Sequence, residues 1–335
     1  MNDEQILAAA RRGDERAFAD LVEPYRSPLQ AHCYRMLGSR TDAEEALQET
    51  MLGAWRGIGR FEGRSSLRSW LYTIATNTCL RAIERRPKRV LPIDYGPAAD
   101  PHDEPRGPLV ESIWIDPIPD AEVESGSASP DARYEALESV ELAFIAAMQH
   151  LPARQRAILI LRDVLGFSAR ETGEALGTTS VSVDSALQRA HKTVDARLPE
   201  RSQQATLRAL DNADLKRVVE GYVQAWERKD IEAMVSMLAE DAVLAMPPEP
   251  QWFAGRDAVG TFLGRFPFGS GTRVRMLPTR VNGQLAFGHY VWNDAAGAYL
   301  PGELSVLTLR GREIAELIAF RTPASFAGLE LPSAI

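Results

Sequence analysis

A proline-rich, acidic stretch in the first half of the chain is the feature that most constrains its fold. Of the 21 prolines in 335 residues, nine fall between residues 87 and 130, and residues 91–150 carry 13 acidic and two basic side chains. Proline removes a backbone donor and the acidic groups repel one another, so this stretch is expected to be an extended linker. A chain of this length fills about two or three domains, and the linker marks where it divides.

Composition narrows the class of protein. The chain is 45% hydrophobic and 25% charged, which is typical of soluble globular proteins. Its longest stretch without Asp, Glu, Lys or Arg, residues 281–293, has 13 residues, fewer than the roughly 18 of a membrane span. The chain opens with MNDEQ, which lacks the basic and apolar regions of a secretory signal. We therefore expect a cytoplasmic protein that does not associate with membranes.

The cysteines and histidines do not suggest a metal site. Cys33 and Cys79 are the two cysteines, and the five histidines lie far apart, without the C-x-x-C, H-x-x-H or H-E-x-x-H spacings of metal-binding motifs. Free cysteines are usually small core residues. We therefore predict no metal, no disulfide and no cofactor.

Residues before the linker have helical periodicity. From Asp42 to Arg56, small and apolar side chains recur at helical spacing and predict a buried stripe. The other side of this helix is polar and acidic, with two large apolar neighbours; it comprises Asp42, Glu45, Gln48, Glu49, Leu52 and Trp55. The charges alone favour a solvated face, whereas Leu52 and Trp55 favour a surface that binds a partner.

A second helix is predicted to begin with Ser65 as its cap. Trp70 and Leu71 belong to its apolar stripe and are expected in the core. Its opposite side and the preceding loop combine aromatic, hydroxyl, amide and arginine side chains, namely Phe61, Arg64, Ser65, Arg68, Tyr72, Thr73, Asn77 and Arg81. Aromatic rings stack on bases, amides read base edges and arginines bind phosphate, so these residues predict a nucleic-acid surface.

After the linker, residues 168–194 have the pattern of a helix-turn-helix. Ser168 and Glu171 form an S-x-x-E capping box, Gly177 closes the first helix, and Thr179 and Ser180 can start the second. The polar side chains available on the second helix are Thr179, Ser180, Ser182, Ser185, Gln188 and Arg189. Such a helix is expected to lie in the major groove of DNA.

The last part of the chain changes from helix alone to helix and strand. Amphipathic helices are predicted around Val218, Met234 and Val259, followed by strands over 272–281, 284–293, 302–309 and 313–320. Asn282-Gly283 between the first two strands is a strong hairpin signal. These elements predict an α+β domain with a curled antiparallel sheet.

Three motifs together resemble the extracytoplasmic-function (ECF) sigma factors of bacterial RNA polymerase, in the subgroup with a SnoaL-like C-terminal extension. DAEEALQETMLGAWRG (42–57) is similar to the core-binding helix, and SLRSWLYTIATNTCLRAIERR (66–86) to the minus-10 helix. LPARQRAILILRDVLGFSARETGEALGTTSVSVDSALQRA (151–190) resembles the minus-35 helix-turn-helix. The resemblance covers essentially the whole chain.

The resemblance implies a multidomain fold of two all-α sigma domains and an α+β SnoaL/NTF2-like domain. Its expected parts are sigma region 2 over 1–88, the acidic linker over 89–130, sigma region 4 over 131–200 and the SnoaL/NTF2-like domain over 205–325. The implied function is to bind core RNA polymerase, through its β′ coiled coil and β flap, and to direct initiation at specific promoters. The acidic helix face would then bind polymerase, the surface on the second helix the minus-10 element, and the helix-turn-helix the minus-35 element.

The sequence departs from the family pattern in its last two parts. Asp184 and Ala186 stand where the family commonly has Lys and Arg, so the helix-turn-helix is expected to bind DNA weakly alone. In the C-terminal domain, Trp252, His289, Tyr290 and Trp292 are the candidates for a pocket that binds a small molecule or a protein. We find no pair of titratable groups there to which catalytic roles can be assigned, and we predict no enzyme activity.

Two other functions fit parts of the sequence. One is a helix-turn-helix regulator that senses a ligand with the C-terminal domain and binds an operator without polymerase. The other is a hydrolase or cyclase fused to a DNA-binding module. A free-standing repressor would carry a basic patch, whereas residues 1–90 have 15 basic and 12 acidic side chains, so the sigma factor is favoured. For the sigma factor, the attached C-terminal domain suggests regulation in cis.

Overall fold

The structure, a computed structural model, describes residues 3–109, 113–124 and 130–335. The helices are α1 (Asp3–Arg11), α2 (Glu15–Val22), α3 (Arg26–Leu37), α4 (Arg40–Gly57), α5 (Leu67–Arg85), α6 (Pro92–Tyr95), α7 (Asp120–Glu124), α8 (Pro130–Glu138), α9 (Leu142–Gln149), α10 (Ala153–Leu159), α11 (Ala169–Leu176), α12 (Ser180–Asp195), α13 (Gln203–Ala209), α14 (Asn212–Arg228), α15 (Ile231–Ser236) and α16 (Arg256–Arg265). The strands are β1 (Leu238–Ala245), β2 (Trp252–Ala254), β3 (Val274–Val281), β4 (Gln284–Asn293), β5 (Ala298–Arg310) and β6 (Glu313–Phe320).

The chain forms two compact units, and each combines segments from different parts of the sequence. The first contains Met1–Arg89 and Asp120–Pro199, and the second contains Val90–Pro119 and Glu200–Ile335. Among the described residues, no helix is both long and apolar enough to cross a membrane.

Buried polar side chains join the helices of the first unit. His32 on α3 bonds Thr76 on α5 (Nε2–Oγ1 2.9 Å), and burial lowers the pKa of His32 to about 3, so the imidazole is neutral. Arg35 donates to Ser139 Oγ at 3.0 Å, and Arg156 donates to Gln149 Oε1 at 2.6 Å and to the Met36 carbonyl. These bonds connect α3 to segments beyond residue 130, so the two predicted sigma domains pack as one helical unit.

Local sequence signals set the helix boundaries. The Ser168–Glu171 capping box is present, and Gly177 ends α11 in the left-handed conformation, with φ 61°. Gly173 permits the tight turn that follows, because a Cβ there would lie 2.8 Å from the Thr178 carbonyl oxygen. The predicted cap of α5 is wrong by one residue. Ser66, and not Ser65, accepts a hydrogen bond from the Ser69 amide at 3.0 Å.

Much of the proline-rich segment is folded and does not extend through solvent. Residues 90–119 belong to the second unit, whereas α7 belongs to the first, where Glu122 pairs with Arg40 at 2.8 Å. Apolar side chains within the segment explain this difference, since Leu91, Ile113, Trp114, Ile115 and Ile118 are all buried. Burial of these apolar side chains offsets the tendency of the acidic groups to stay in water, which was the basis for predicting an open linker.

The second unit contains a six-stranded sheet in the order β2-β1-β6-β5-β4-β3. All neighbouring strands are antiparallel except β1 and β6, which pair in parallel, so the expectation of a wholly antiparallel sheet is wrong. The Asn282-Gly283 hairpin is confirmed, and both turn residues have positive φ, at 53° and 68°. Strands β1 and β2 were not predicted from the sequence. Side chains of α14, α15 and α16 complete the hydrophobic core on the sheet.

Candidate nucleic-acid interface and C-terminal cavity

The polar face of α4 is largely exposed. Glu45, Gln48 and Glu49 are exposed, and Leu52 beside them is 54% exposed, which is unusual for a large apolar side chain. Trp55 is half-buried, and its ring packs edge-on against Phe18 with centroids 5.1 Å apart. This face therefore presents carboxylates around one apolar side chain, as the sequence predicts for a partner surface.

Asp42 does not belong to this exposed face. Its carboxylate is buried and forms ion pairs with Arg89, at 2.6 Å, and with Arg86. Arg86 also pairs with Glu45 at 2.5 Å. The prediction that Asp42 is available to polymerase is thus not met in this structure, because the residues after α5 turn back and place two guanidinium groups over the start of α4.

The structure also changes the expectation for Tyr72. Its side chain is buried between the rings of His32, 5.2 Å away, and Phe167, 5.6 Å away. Arg68 spans the rings of Tyr72 and Phe167 and donates to the Leu165 carbonyl at 2.7 Å. Tyr72 was predicted to face DNA because it lies opposite the main apolar stripe, but the loop before α11 covers that side of α5.

The other predicted minus-10 residues occupy different environments. Phe61 is buried against Trp70, with ring centroids 5.0 Å apart, whereas Arg64, Ser65 and Arg81 are exposed. Thr73 and Asn77 are half-buried, and each bonds a carbonyl one turn earlier in α5, at 2.8 Å and 2.9 Å. Arg64, Ser65 and Arg81 thus stay exposed in this structure, and Thr73 and Asn77 are partly accessible.

The second helix of the helix-turn-helix presents the polar face that the sequence predicts. Thr179 caps α12 and bonds the Ser182 amide at 3.2 Å. Every predicted minus-35 residue on this helix is exposed: Thr179, Ser180, Ser182, Ser185, Gln188 and Arg189. Val183, Ala186 and Ala190 are buried on the other side. Ala186, where the family commonly has Arg, therefore sits at a position with little room for a longer side chain.

A cavity of about 430 Å³ lies within the second unit, between the sheet and the helices α14 and α16. His289 lines it, and its imidazole bonds Ser305 (Nε2–Oγ 2.8 Å) and lies 3.3 Å from Glu303 (Nδ1–Oε1). Burial lowers the pKa of His289 to about 3 and raises the pKa of Glu303 to about 7. The imidazole is therefore neutral at pH 7, with one ring nitrogen donating and the other accepting.

Ser305, His289 and Glu303 are the residue types of a serine-hydrolase triad, but their protonation states differ from those of a triad. A triad histidine must accept the serine proton, whereas a pKa near 3 makes His289 a poor base at pH 7. A triad carboxylate must be ionised to stabilise the imidazolium, whereas burial favours the neutral form of Glu303. The arrangement therefore lacks the charge states that acyl transfer by such a triad requires.

The other predicted pocket residues do not line the cavity. Trp252 donates its indole N–H to the Gly96 carbonyl at 2.7 Å, and Tyr290 donates its hydroxyl to the Pro332 carbonyl at 2.6 Å. Trp292 packs under Arg273, 4.2 Å from the ring centroid. Successive residues of a strand point to opposite faces of the sheet. Because His289 on β4 faces the cavity, Tyr290 and Trp292 point to the other face.

Three cavity residues, Trp226, Glu303 and Ser305, were not singled out as candidates from the sequence. Glu303 and Ser305 lie two residues apart on β5 and therefore share a face of the strand. This spacing is the one sequence signal that could have grouped them. Their pairing with β4, where His289 faces Glu303 and Phe287 faces Ser305, was not readable from sequence.

Comparisons with known proteins agree with this architecture. Family models match Sigma-70 region 2 over residues 21–89, Sigma-70 region 4 over residues 141–194, and a SnoaL-like domain over residues 219–317. The chain is 40% identical to the ECF RNA polymerase sigma factor SigG of Mycobacterium tuberculosis over 333 residues, which covers 98% of this chain and 86% of SigG. It is 32% identical to SigM of the same organism over 191 residues, covering 56% of this chain and 81% of SigM.

The crystal structure of Mycobacterium tuberculosis SigJ has a similar fold. It matches with a TM-score of 0.55 at 22% identity and covers 92% of this chain and 97% of SigJ. The match to SigG over nearly the whole chain does not favour the alternative function, a helix-turn-helix regulator that binds an operator without polymerase. The chain therefore belongs to the ECF sigma factors, which bind core RNA polymerase and direct transcription initiation at promoters.

Proposed function

We propose that the C-terminal unit regulates this sigma factor in cis by holding the linker between regions 2 and 4 as a closed loop. The observation that carries the proposal is a parallel bridge between Val90 and Trp114. The Val90 amide donates to the Ile113 carbonyl at 2.9 Å, and the Ile115 amide donates to the Val90 carbonyl at 3.1 Å. The two ends of the segment therefore lie side by side.

The loop removes most of the reach of the linker. Bridged residues lie about 5 Å apart, whereas the same stretch fully extended spans about 80 Å. The minus-10 and minus-35 elements are separate sites on a duplex that rises about 3.4 Å per base pair, so the two domains must reach apart to contact both. A sigma factor that must place one domain on each element therefore benefits from an open linker, and a closed loop disfavours that arrangement.

Further contacts hold the segment within the C-terminal unit. The Ile118 amide donates to Asn282 Oδ1 at 2.9 Å, and the Asn282 amide donates to the Ile118 carbonyl at 2.9 Å. Asn282 is fully buried in the turn between β3 and β4. The hairpin turn that the sequence predicted thus also anchors the linker.

A loop-opening variant of the full chain tests this proposal. Asn282→Gly keeps a residue that accepts positive φ but removes the oxygen that accepts the Ile118 amide, and Ile115→Pro removes the N–H that donates to Val90. Losing two hydrogen bonds of about 1 kcal/mol each shifts the population toward the open linker by about 30-fold at most. We expect the double variant to raise promoter-dependent transcription with core polymerase by about 5- to 30-fold.

The matched control is Asn293→Gly, at the opposite end of β4 from the Asn282 turn, which removes a side chain that accepts from the Ala296 amide at 2.9 Å. It should leave transcription unchanged. Equal transcription by the double variant and the unaltered protein, at equal polymerase binding, would contradict regulation through the loop.

We further propose that the two DNA modules read separate promoter elements. Arg189→Ala should weaken minus-35 occupancy by about 1–3 kcal/mol if its contact is bidentate to a base, because the side chain is exposed on α12. Asn77→Ala should instead reduce strand opening at the minus-10 element, through an amide that reads a base edge. Gel-shift titrations and permanganate footprints separate these effects, and Arg197→Ala and Asn212→Ala, at exposed positions outside the predicted DNA surfaces, are the controls. Equal melting defects for Arg189→Ala and Asn77→Ala would show that the division is wrong.

For the C-terminal cavity we propose binding and not catalysis, with no cofactor. The neutral His289 and the partly protonated Glu303 support this assignment.

The protein is expected to act in the cytoplasm, where its polymerase partner is found.

A further inference from the structure

We propose that the C-terminal cavity is a binding site for an uncharged, largely apolar small molecule that carries one hydrogen-bonding oxygen, and that residues 99–109 form its gate. The gating part rests on the cis-regulatory function proposed above, and the binding part gives a ligand class to the cavity binding proposed there. The cavity volume of about 430 Å³ falls in the range of sites for drug-sized ligands. Most of its lining is apolar, with Leu244, Phe262 and Val291 among the side chains.

One unsatisfied donor at the cavity indicates what the ligand must offer. Trp226 lines the cavity, and its buried indole N–H has no hydrogen-bond partner of good geometry. The buried Tyr222 hydroxyl lies near Trp226 and Ser305. A buried polar group without a partner costs about 1–3 kcal/mol, so an oxygen acceptor placed beside Trp226 would recover part of that cost.

The charges around the cavity disfavour an ionised ligand. Arg321 already pairs with Glu249 at 3.2 Å and lies 3.6 Å from Glu303, so an anion would compete with groups that Arg321 already contacts. A cation would require an ionised Glu303, whereas burial raises the pKa of this group to about 7 and stabilises the neutral form. His289 is neutral at the same pH. An uncharged molecule enters without desolvating a charge.

One wall of the cavity comes from the linker segment. Pro105 lines the cavity, and its neighbours are attached on both sides. The Ala99 amide donates to the Trp252 carbonyl at 2.8 Å, and the Leu109 amide donates to the Pro248 carbonyl at 3.1 Å. Glu104 pairs with Arg265 on α16 at 3.2 Å. A ligand that fills the cavity would therefore contact the same segment that belongs to the closed loop.

Calorimetric titration of the full chain with three probes of one ring system tests the site. The probes are 2-naphthol, which is uncharged with one hydroxyl, 2-naphthoate, which is an anion, and 2-naphthylmethylammonium, which is a cation. We expect 2-naphthol to bind at least tenfold more tightly than either charged probe. Ala319→Phe, which fills the cavity from β6, should abolish binding, and Ala295→Phe in an exposed turn is its matched control.

A second variant protects the test against misfolding of Ala319→Phe. Trp226→Phe keeps an aromatic ring but removes the unpartnered N–H, and it should weaken 2-naphthol binding by about five- to tenfold. Hydrogen exchange at the Ala99 and Leu109 amides should slow when 2-naphthol is bound, because the ligand packs against Pro105.

Absence of binding by all three probes, or binding that Trp226→Phe and Ala319→Phe both leave intact, would overturn the site. Binding without slower exchange at residues 99–109 would overturn the gate. Neither result depends on transcription, so either failure is distinguishable from failure of the loop-opening variant.

Discussion

Asp42→Ala is expected to destabilise the N-terminal helical unit by about 3–5 kcal/mol. Its carboxylate is buried between two arginines, and the side chain of Arg89 is itself only 8% exposed. Removing one partner of a buried ion pair leaves the other charge in a desolvated site, which costs more than the pair contributes. The loss should appear as faster hydrogen exchange throughout α4 and α5 in the full chain, because the ion pair joins the start of α4 to the residues after α5.

Two internal comparisons make this measurement specific. Exchange in α14, which belongs to the other unit, should not change. Glu45→Ala removes a carboxylate that is 58% exposed and pairs with the same Arg86, and it should cost no more than about 1 kcal/mol. If Asp42→Ala proved as mild as Glu45→Ala and instead lost polymerase binding selectively, then Asp42 would be a polymerase contact and its buried pairing would not persist in solution.

Glu49→Lys combined with Leu52→Ala is expected to weaken binding to core RNA polymerase by about 30-fold or more. Leu52 is exposed in the middle of an acidic face, and an apolar anchor with a charged rim is the composition of an interaction hot spot, worth about 2 kcal/mol or more. Because the reversed charge acts through water, the loss should be greatest at low salt. Binding of labelled core polymerase to the immobilised full chain at two salt concentrations measures both effects.

Glu84→Lys on α5 is the matched control, since it makes the same charge change at another exposed position of the same unit. It should leave core binding within twofold, and the helix content of both variants should equal that of the unaltered protein. Undiminished binding by the Glu49/Leu52 double variant would remove this face from the polymerase interface.

Elements with local signals were predicted well from the sequence. The capping box at Ser168, the left-handed Gly177 and the Asn282-Gly283 hairpin all occur as expected, because each depends on contacts within a few residues. The polar face of α12 is also as predicted, since helical period alone separates Gln188 and Arg189 from the buried Val183 and Ala190. The same order of motifs was sufficient to identify the family.

Tertiary structure alone decided which of the predicted site residues are accessible. Helical period placed Asp42 and Tyr72 on polar faces, but segments distant in sequence cover them, the residues after α5 in one case and Phe167 in the other. Composition described residues 89–130 as an acidic linker, whereas five buried apolar side chains tie residues 90–119 into the C-terminal unit. His289 was recognised in sequence, but its partners Ser305 and Glu303 depend on the register between β4 and β5. Helical period and composition depend only on residues that are close in sequence. They therefore contain no information about burial by a segment that is distant in sequence.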